Sequence, residues 1–272
     1  MDLYEELQDL MIKHHFRPSK KLSQFYCTNE ALLRFLVHSA KLTKDDIVLE
    51  IGPGTGFLTK FLLEKTKVVG IEKDEIMIEL LEEKFKDEIK EGKLKLIHGS
   101  ATNYDYDKEG ITKVVALPPY HLSSELMIKI ATTQKIKKAI IVFDSGFVEK
   151  LTAFEGMREY NALTVLLNLN AKIKVLEHID KASFFPSPNC LSVVVETDFN
   201  RVENSKRFLL FLKELFRYKN KDLRKALKQS IPVLKNNKIF EKEIDINAIK
   251  TENEKVYAMS PESLLEIFDE LS

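Results

Sequence analysis

The chain has 272 residues, 44% apolar and 31% charged, with a formal net charge of zero. That is enough apolar material for the core of one large domain, or of a medium domain with a small companion, and it excludes wholesale disorder. Two cysteines, Cys27 and Cys190, exclude a disulfide framework and a multi-cysteine zinc site, and no apolar run approaches the ~18 residues that span a bilayer.

In chain order, the acidic opening (Asp2, Glu5, Glu6, Asp9) has the wrong sign for a signal or transit peptide, so a cytoplasmic setting is expected. Leu3, Leu7, Leu10 and Met11 share one helical face, which predicts a short amphipathic helix. A basic cluster follows at Lys13, Arg17, Lys20 and Lys21. Asn29 is placed to cap a second helix with apolar positions Leu32, Leu33, Leu36 and Val37. From Ile47 short apolar runs alternate with amphipathic stretches. Strands are predicted at 47–51, 68–72, 93–98, 114–117 and 139–143, with helices between them, as at 57–65 and 74–86. This alternation implies an α/β fold with a mostly parallel, doubly wound sheet. Two β-rich stretches, within 163–176 and 191–195, would complete the sheet. Beyond Asn200 the chain turns helical, most clearly at 208–217 and 221–229, so a division into residues 1–198 and 199–272 is expected. Residues 201–242 carry thirteen Lys or Arg against four Asp or Glu. Such a run suits a surface facing a polyanion, and a merely solvated Lys-rich helix has the same composition.

The sharpest chemical signal is VLEIGPGTGFLT, residues 48–59, at the end of the first predicted strand. Gly52, Gly54 and Gly56 permit positive φ and close backbone approach at a strand-to-helix junction. The G-x-G-x-G spacing is not the G-x-G-x-x-G of dinucleotide binding. It resembles the first motif of S-adenosylmethionine-dependent methyltransferases, in which the loop wraps the methionine end of the cofactor. Glu72, at the end of the next strand, then stands where an acid grips the two ribose hydroxyls.

VVALPPYHLSS, residues 114–124, follows the fourth strand. Pro118, Pro119 and Tyr120 resemble the (D/N/S)-(P/L)-P-(Y/F) loop of amino-group methyltransferases. There, oxygen acceptors hold a base's exocyclic amine while the ring stacks on the base, aligning the nitrogen lone pair with the methyl group. An ordinary proline turn after a strand would look the same in isolation. A methylated amine sheds its proton easily, so no strong general base is required.

With both motifs in place, the chain from about Lys20 onward resembles the KsgA-type small-subunit rRNA adenine dimethyltransferases. Residues 21–26, KLSQFY, are similar to the family's K-L-G-Q-x-F. Residues 156–165, GMREYNALTV, are similar to its G-x-x-x-Y-x-x-L-[ST]-V. Residues 184–188, FFPSP, resemble F-x-P-x-P, whose first Phe stacks on the target base. Residues 216–227, FRYKNKDLRKAL, resemble its basic helix, and 264–271 its closing helix. The resemblance implies a Rossmann-like S-adenosylmethionine methyltransferase sheet with a small C-terminal helical, RNA-docking domain. It implies a cofactor site at Gln24, Tyr26, Glu50, Gly52, Gly54, Thr55, Gly56, Glu72, Lys73, Ser100, Ala101 and Leu117. It further implies a base site at Leu117, Pro118, Pro119, Tyr120 and Phe184, and RNA contacts at Arg217, Lys219, Lys221, Arg224, Lys225 and Lys228. The expected partner is small-subunit rRNA or a pre-ribosomal particle, met by a monomer with no membrane role and no metal.

Four places in the chain depart from the family pattern. Leu117 replaces the Asn of N-L-P-Y, and Ser100 replaces the acid that contacts the cofactor's adenine. Asp144-Ser145-Gly146 replaces Q-K-E, and Pro188-Asn189-Cys190-Leu191-Ser192 replaces P-K-V-D-S. The Pro-Pro-Tyr form is closer to the S-P-P-Y of cytosine amino-methyltransferases. Adenine and cytosine therefore both stand as target bases, and a non-catalytic assembly factor on the same fold is the alternative of a different class. His98 and His121 are expected to be structural or solvent-facing, Cys27 and Cys190 to pack as small apolar residues, Asp45-Asp46 to make a turn, and Tyr104 and Tyr106 to be surface or partly buried side chains without a function.

Overall fold

The computed structural model describes residues 2–19, 24–240, 246 and 254–272. The chain packs as two units, Met1–Val148 with Ile173–Phe199, and Glu149–Lys172 with Asn200–Ser272.

In chain order the elements are α1 (Leu3–Lys13), β1 (Tyr26–Cys27), α2 (Glu30–Ser39), β2 (Ile47–Ile51), α3 (Phe57–Leu63), β3 (Lys67–Glu72), α4 (Glu75–Lys84), α5 (Lys86–Lys90), β4 (Leu94–His98), β5 (Lys113–Ala116), α6 (Ser123–Thr132), β6 (Lys138–Asp144) and α7 (Ser145–Leu151). There follow α8 (Ala162–Asn170), β7 (Ala171–Ile179), β8 (Phe184–Phe185), β9 (Ser192–Phe199), α9 (Ser205–Leu215), α10 (Leu223–Asn236) and α11 (Pro261–Leu271).

Seven strands form one sheet in the order β4-β3-β2-β5-β6-β9-β7. The five strands from β4 to β6 run parallel, and β9 pairs antiparallel to β6, with Asp144 opposite Ser192. Apart from Glu50 and charged residues at the ends of β5 and β6, the central strands are apolar because both their faces are covered. Val48, Leu49, Val114, Val115 and Ile140 are fully buried. Asp46 does more than turn the chain before β2. It accepts from the Thr43 amide and hydroxyl (2.8 and 3.0 Å) and from Thr112 Oγ1 (2.8 Å), and its carboxylate lies 2.9 Å from Lys113 Nζ. Burial raises its pKa, yet these partners hold it at about 2. The turn thereby ties the start of β2 to the start of β5. Tyr106, expected to be at most partly buried, is 1% exposed and donates to the Ala101 carbonyl. Tyr104 is only partly buried.

The sheet's parallel half follows the expected strands to within a residue or so at each end. The stretch 163–176 does not: its first part is α8, and strand begins at Ala171. Asn161 caps α8, its side chain accepting from the amides of Leu163 and Thr164. The helix is apolar on nearly every side, so its sequence has no period that separates it from a buried strand. The division expected at 198/199 also needs a correction, because residues 149–172 group with the second unit.

In that unit α8 packs against α9 and α11, and α9 against α10. Its core is an aromatic cluster: Phe208, Phe211, Phe240 and Phe268 meet with ring centroids 5.3 to 6.2 Å apart. Tyr160 is fully buried and donates to the Met259 carbonyl at 2.9 Å. Among the described residues no helix is long and apolar enough to cross a membrane.

Candidate active site

The C-terminal ends of β2, β3, β4 and β5 open into a cavity of about 400 Å³. That position and volume suit a small-molecule site on an α/β sheet. Gln24, Tyr26, Glu50, Gly52, Gly54, Thr55, Glu72, Lys73, Ser100, Ala101, Leu117 and Pro119 all line it.

The glycine loop has the conformation its composition predicts. Gly52, Gly54 and Gly56 have φ of +69°, +56° and +77°, in the left-handed region that side chains disfavour. The three differ in what a Cβ would meet. At Gly54 it would lie 3.0 Å from Tyr26 Cε1, a ring on the cavity wall. At Gly56 it would lie 2.5 Å from Phe85 and 2.9 Å from Leu81, in the core. Gly56 therefore caps α3 and does not line the cavity, which corrects its expected place on the cofactor surface.

Glu72 is 9% exposed and held by three backbone amides. Oε2 accepts from Gly54 (3.1 Å), and Oε1 accepts from Lys73 (2.7 Å) and Asp74 (2.9 Å). Burial raises its pKa, and the three amides oppose the rise. Glu50 is 2% exposed and accepts from Thr59 Oγ1 at 2.6 Å. Burial pushes its carboxyl up to about 8, against the Thr59 bond and with the help of the Glu72 charge. Tyr26 donates to Met77 Sδ at 3.6 Å, and burial, then Glu72 and Asp74, push its phenol upward.

Gln24 bridges two segments. Its Oε1 accepts from the Ser19 amide (3.0 Å), and its Nε2 donates to Asp74 Oδ2 (3.0 Å). Asp74 also caps α4. It was not singled out from the sequence, although an Asp opening a helix just after a strand-end acid is a readable signal. Phe25 and Met77 line the cavity too, without having been anticipated, and so does His121. Ser100, at the adenine-acid position, shares a hydrogen bond with Thr102 Oγ1 at 2.8 Å. His98 Nε2 lies 3.2 Å from the Lys73 carbonyl. Residues 20–23, which begin the KLSQFY segment and end the first basic cluster, lie outside the described residues.

The base-side residues divide. Leu117 and Pro119 face the cavity, while Pro118 and Tyr120 do not line it. Tyr120 OH is 2.6 Å from Ser192 Oγ, and its ring lies 5.8 Å from that of Phe25 at a 30° tilt. Burial pushes the phenol up to about 12. Phe184 departs from expectation. It pairs with Cys27 in the β1–β8 ribbon, is 4% exposed and packs in the hydrophobic core; Cys27 lines the cavity and Phe184 does not. Cys27 is buried and Cys190 half-buried.

The six basic residues read as RNA contacts lie in the second unit. Arg224, Lys225 and Lys228 fall on the exposed side of α10, opposite its buried stripe of Leu223, Ala226, Leu227, Ile231 and Leu234. Lys225 pairs with Asp222 (2.7 Å), Arg217 with Glu214 (3.1 Å), and Lys221 donates to Gln229 (2.8 Å). Lys219 is a strut: its ammonium donates to the carbonyls of Arg158 (3.0 Å) and Tyr160 (3.4 Å).

The cavity fits the cofactor that the glycine pattern suggested. A cradle where a Cβ at Gly54 would crowd Tyr26, the buried strand-end carboxylate of Glu72 and apolar lining residues such as Ile71, Met77 and Ala101 suit a methionine end, a ribose and an adenine ring.

Comparison with known proteins gives the same assignment. Residues 15–272 match the model of the family described as ribosomal RNA adenine dimethylase. A ribosomal RNA small subunit methyltransferase A of Malacoplasma penetrans is 31% identical over 251 residues, covering 89% of each chain. A probable counterpart in Methanopyrus kandleri is 34% identical over 236 residues, covering 82% of this chain and 81% of its own. Among solved structures, a dimethyladenosine transferase from Plasmodium falciparum superposes with a TM-score of 0.71 at 25% identity, covering 90% of this chain and 97% of the other. The 23S rRNA methyltransferase ErmE shares the fold, with a TM-score of 0.64 at 19% identity over 90% of this chain and 99% of the other. With a match that spans the sheet, the cradle and the helical unit alike, the chain belongs to the ribosomal RNA adenine dimethylase family.

Proposed function

We propose that the chain methylates the 6-amino group of adenine in small-subunit rRNA, with S-adenosylmethionine as methyl donor and with the cavity residues in the roles that follow. The family acts on adenine, which decides between the two bases that the Pro-Pro-Tyr loop left open. The observation that carries the site assignment is that Gly52, Gly54, Glu72, Leu117 and Pro119 line one cavity.

Bound S-adenosylmethionine would supply a methyl group on a sulfonium centre. Gly52 and Gly54 leave room for its methionine end, and Glu72 is oriented by three amides to accept from a vicinal diol. Leu117 is apolar and offers no acceptor, so the Pro118 carbonyl takes the hydrogen bond from the target amine and turns its lone pair toward the methyl group. Tyr120 stacks on a base drawn out of its helix, a contact worth roughly 1–3 kcal/mol. The amine's proton leaves to solvent. Arg217, Lys221, Arg224, Lys225 and Lys228 bind phosphates, and ion pairs within the unit are exchanged for phosphate contacts.

The test is to incubate the protein with labelled S-adenosylmethionine and small-subunit particles from a strain lacking this methylation, then digest the rRNA and separate the nucleosides by mass spectrometry. N6-methylated adenosine is the expected product. Methylated cytidine, or no transfer with the cofactor bound, would overturn the proposal. Tyr120→Ala should reduce transfer far more than cofactor affinity.

A further inference from the structure

Tyr120 is held by two contacts that its own loop does not supply. At the end of β5 the chain leaves Ala116, passes Leu117 to Pro119 and enters a single helical turn at Tyr120. The Tyr120 hydroxyl meets Ser192 Oγ at 2.6 Å. Ser192 is fully buried, opens β9, and is fixed by its register opposite Asp144 at the end of β6. The neighbouring Ser145 amide also donates to the Leu191 carbonyl at 3.0 Å, so the start of β9 is tied down on both sides of Ser192. On the ring's own side, Phe25 lies 5.8 Å away at 30°, and Phe25 in turn lines the cavity.

A phenol attached through Cβ can turn about two side-chain bonds. A hydrogen bond at its far end to a strand residue removes most of that freedom, and a neighbouring ring removes part of what is left. The geometry points to Ser192 as a positioning residue for methyl transfer: it fixes the plane of the Tyr120 ring, with Phe25 as a lateral stop, so that the target base meets a platform already in place. This rests on the reading of Tyr120 as the ring that stacks on the base. Positioning of this kind acts on the reacting geometry and not on the cofactor, since an error of an ångström in alignment is enough to slow a transfer step.

Kinetics on small-subunit particles and a substrate-free measurement test it together. Ser192→Ala should lower kcat roughly tenfold, the factor that corresponds to one lost hydrogen bond of about 1.4 kcal/mol, with cofactor affinity unchanged by calorimetry. Ser192→Thr, which keeps the hydroxyl, should recover most of the rate. Tyr120→Phe should lose as much as Ser192→Ala, and the double variant no more than either, because both remove the same bond. In protein carrying 13C-labelled tyrosine, Ser192→Ala should shift and broaden the Tyr120 ring resonance. An unchanged resonance overturns the positioning role even if the wild type methylates nothing, and loss of all activity in the wild type overturns the proposed function without touching the ring measurement. Equal rates in Ser192→Ala and wild type, or additive losses in the double variant, overturn the positioning role in an active enzyme.

Discussion

Alanine at Gly54 and alanine at Gly56 should separate binding from stability within one loop. Both glycines have positive φ, +56° and +77°, so each substitution places an L side chain in the left-handed region at a cost of about 1–2 kcal/mol. At Gly56 the new methyl would also lie 2.5 Å from Phe85 Cε2 and 2.9 Å from Leu81 Cδ2. Phe85 is 5% exposed and Leu81 fully buried, so neither can step aside, and overpacking adds about 1–3 kcal/mol. The sum for Gly56→Ala is roughly 2–5 kcal/mol, a fall in Tm of roughly 4–9 °C for a protein of this size. At Gly54 the obstructing atom is Tyr26 Cε1 at 3.0 Å, on a ring that borders the cavity and can move a few tenths of an ångström into it. Gly54→Ala should therefore lose only about 1–2 kcal/mol of stability but bind S-adenosylmethionine at least roughly tenfold more weakly, because the space is taken from the ligand. Thermal melts and titration calorimetry on the two variants decide the matter. If Gly56→Ala keeps its Tm, or Gly54→Ala keeps its affinity, the division of labour drawn from the Cβ contacts is wrong.

Glu50 should make the ligand-free protein less stable as pH rises. Its native pKa of about 8 lies above the ordinary 4.5, so the unfolded chain gives up its proton first, and stability falls between about pH 4.5 and 8 and then levels off; urea melts across this range should lose that slope in Glu50→Gln. Asp46 works in the opposite sense, its contribution present above about pH 4 and lost as pH falls toward 2, so Asp46→Asn should flatten the acid limb of the same profile. Phe268→Ala opens the centre of the aromatic cluster and should cost about 3–5 kcal/mol, read from the urea midpoint. Reversing Lys221, Arg224, Lys225 and Lys228 to Glu should weaken RNA binding and reduce the slope of log K against log salt by roughly 3 units, and an unchanged slope would make this face of α10 a solvated surface.

What could be read from the sequence was local. Gly52, Gly54, Glu72 and the alternation of strands are written within a few residues of where they act, while Gly56, in the same motif, faces Phe85 and Leu81 instead of the cavity. The helix α8 differs from the strand expected there because a run buried on nearly every side carries no period; the Asn161 cap is the one local signal that marks it as a helix. Phe184 shows a different failure: a motif fixes a residue's place in the chain but not the exposure of its ring, and pairing with Cys27 draws it inward. The Tyr120–Ser192 bond joins positions 72 residues apart, brought together by an antiparallel strand at the far side of β6. Nothing near either residue announces it.

The make-up of the second unit bears on how the chain is made. Its first helix, α8, ends at Asn170, while the helices that cover it, α9 and α11, end only at Leu215 and Leu271. Val165, Leu166 and Leu167 are fully buried in the finished protein. During synthesis at about 5–20 residues per second, the remaining hundred or so residues take roughly 5–20 s to emerge. Until α9 is made, about 45 residues and roughly 2–9 s after α8, the buried face of α8 has no helix to cover it, so nascent chains paused or truncated near residue 200 should be the ones that recruit chaperones or aggregate.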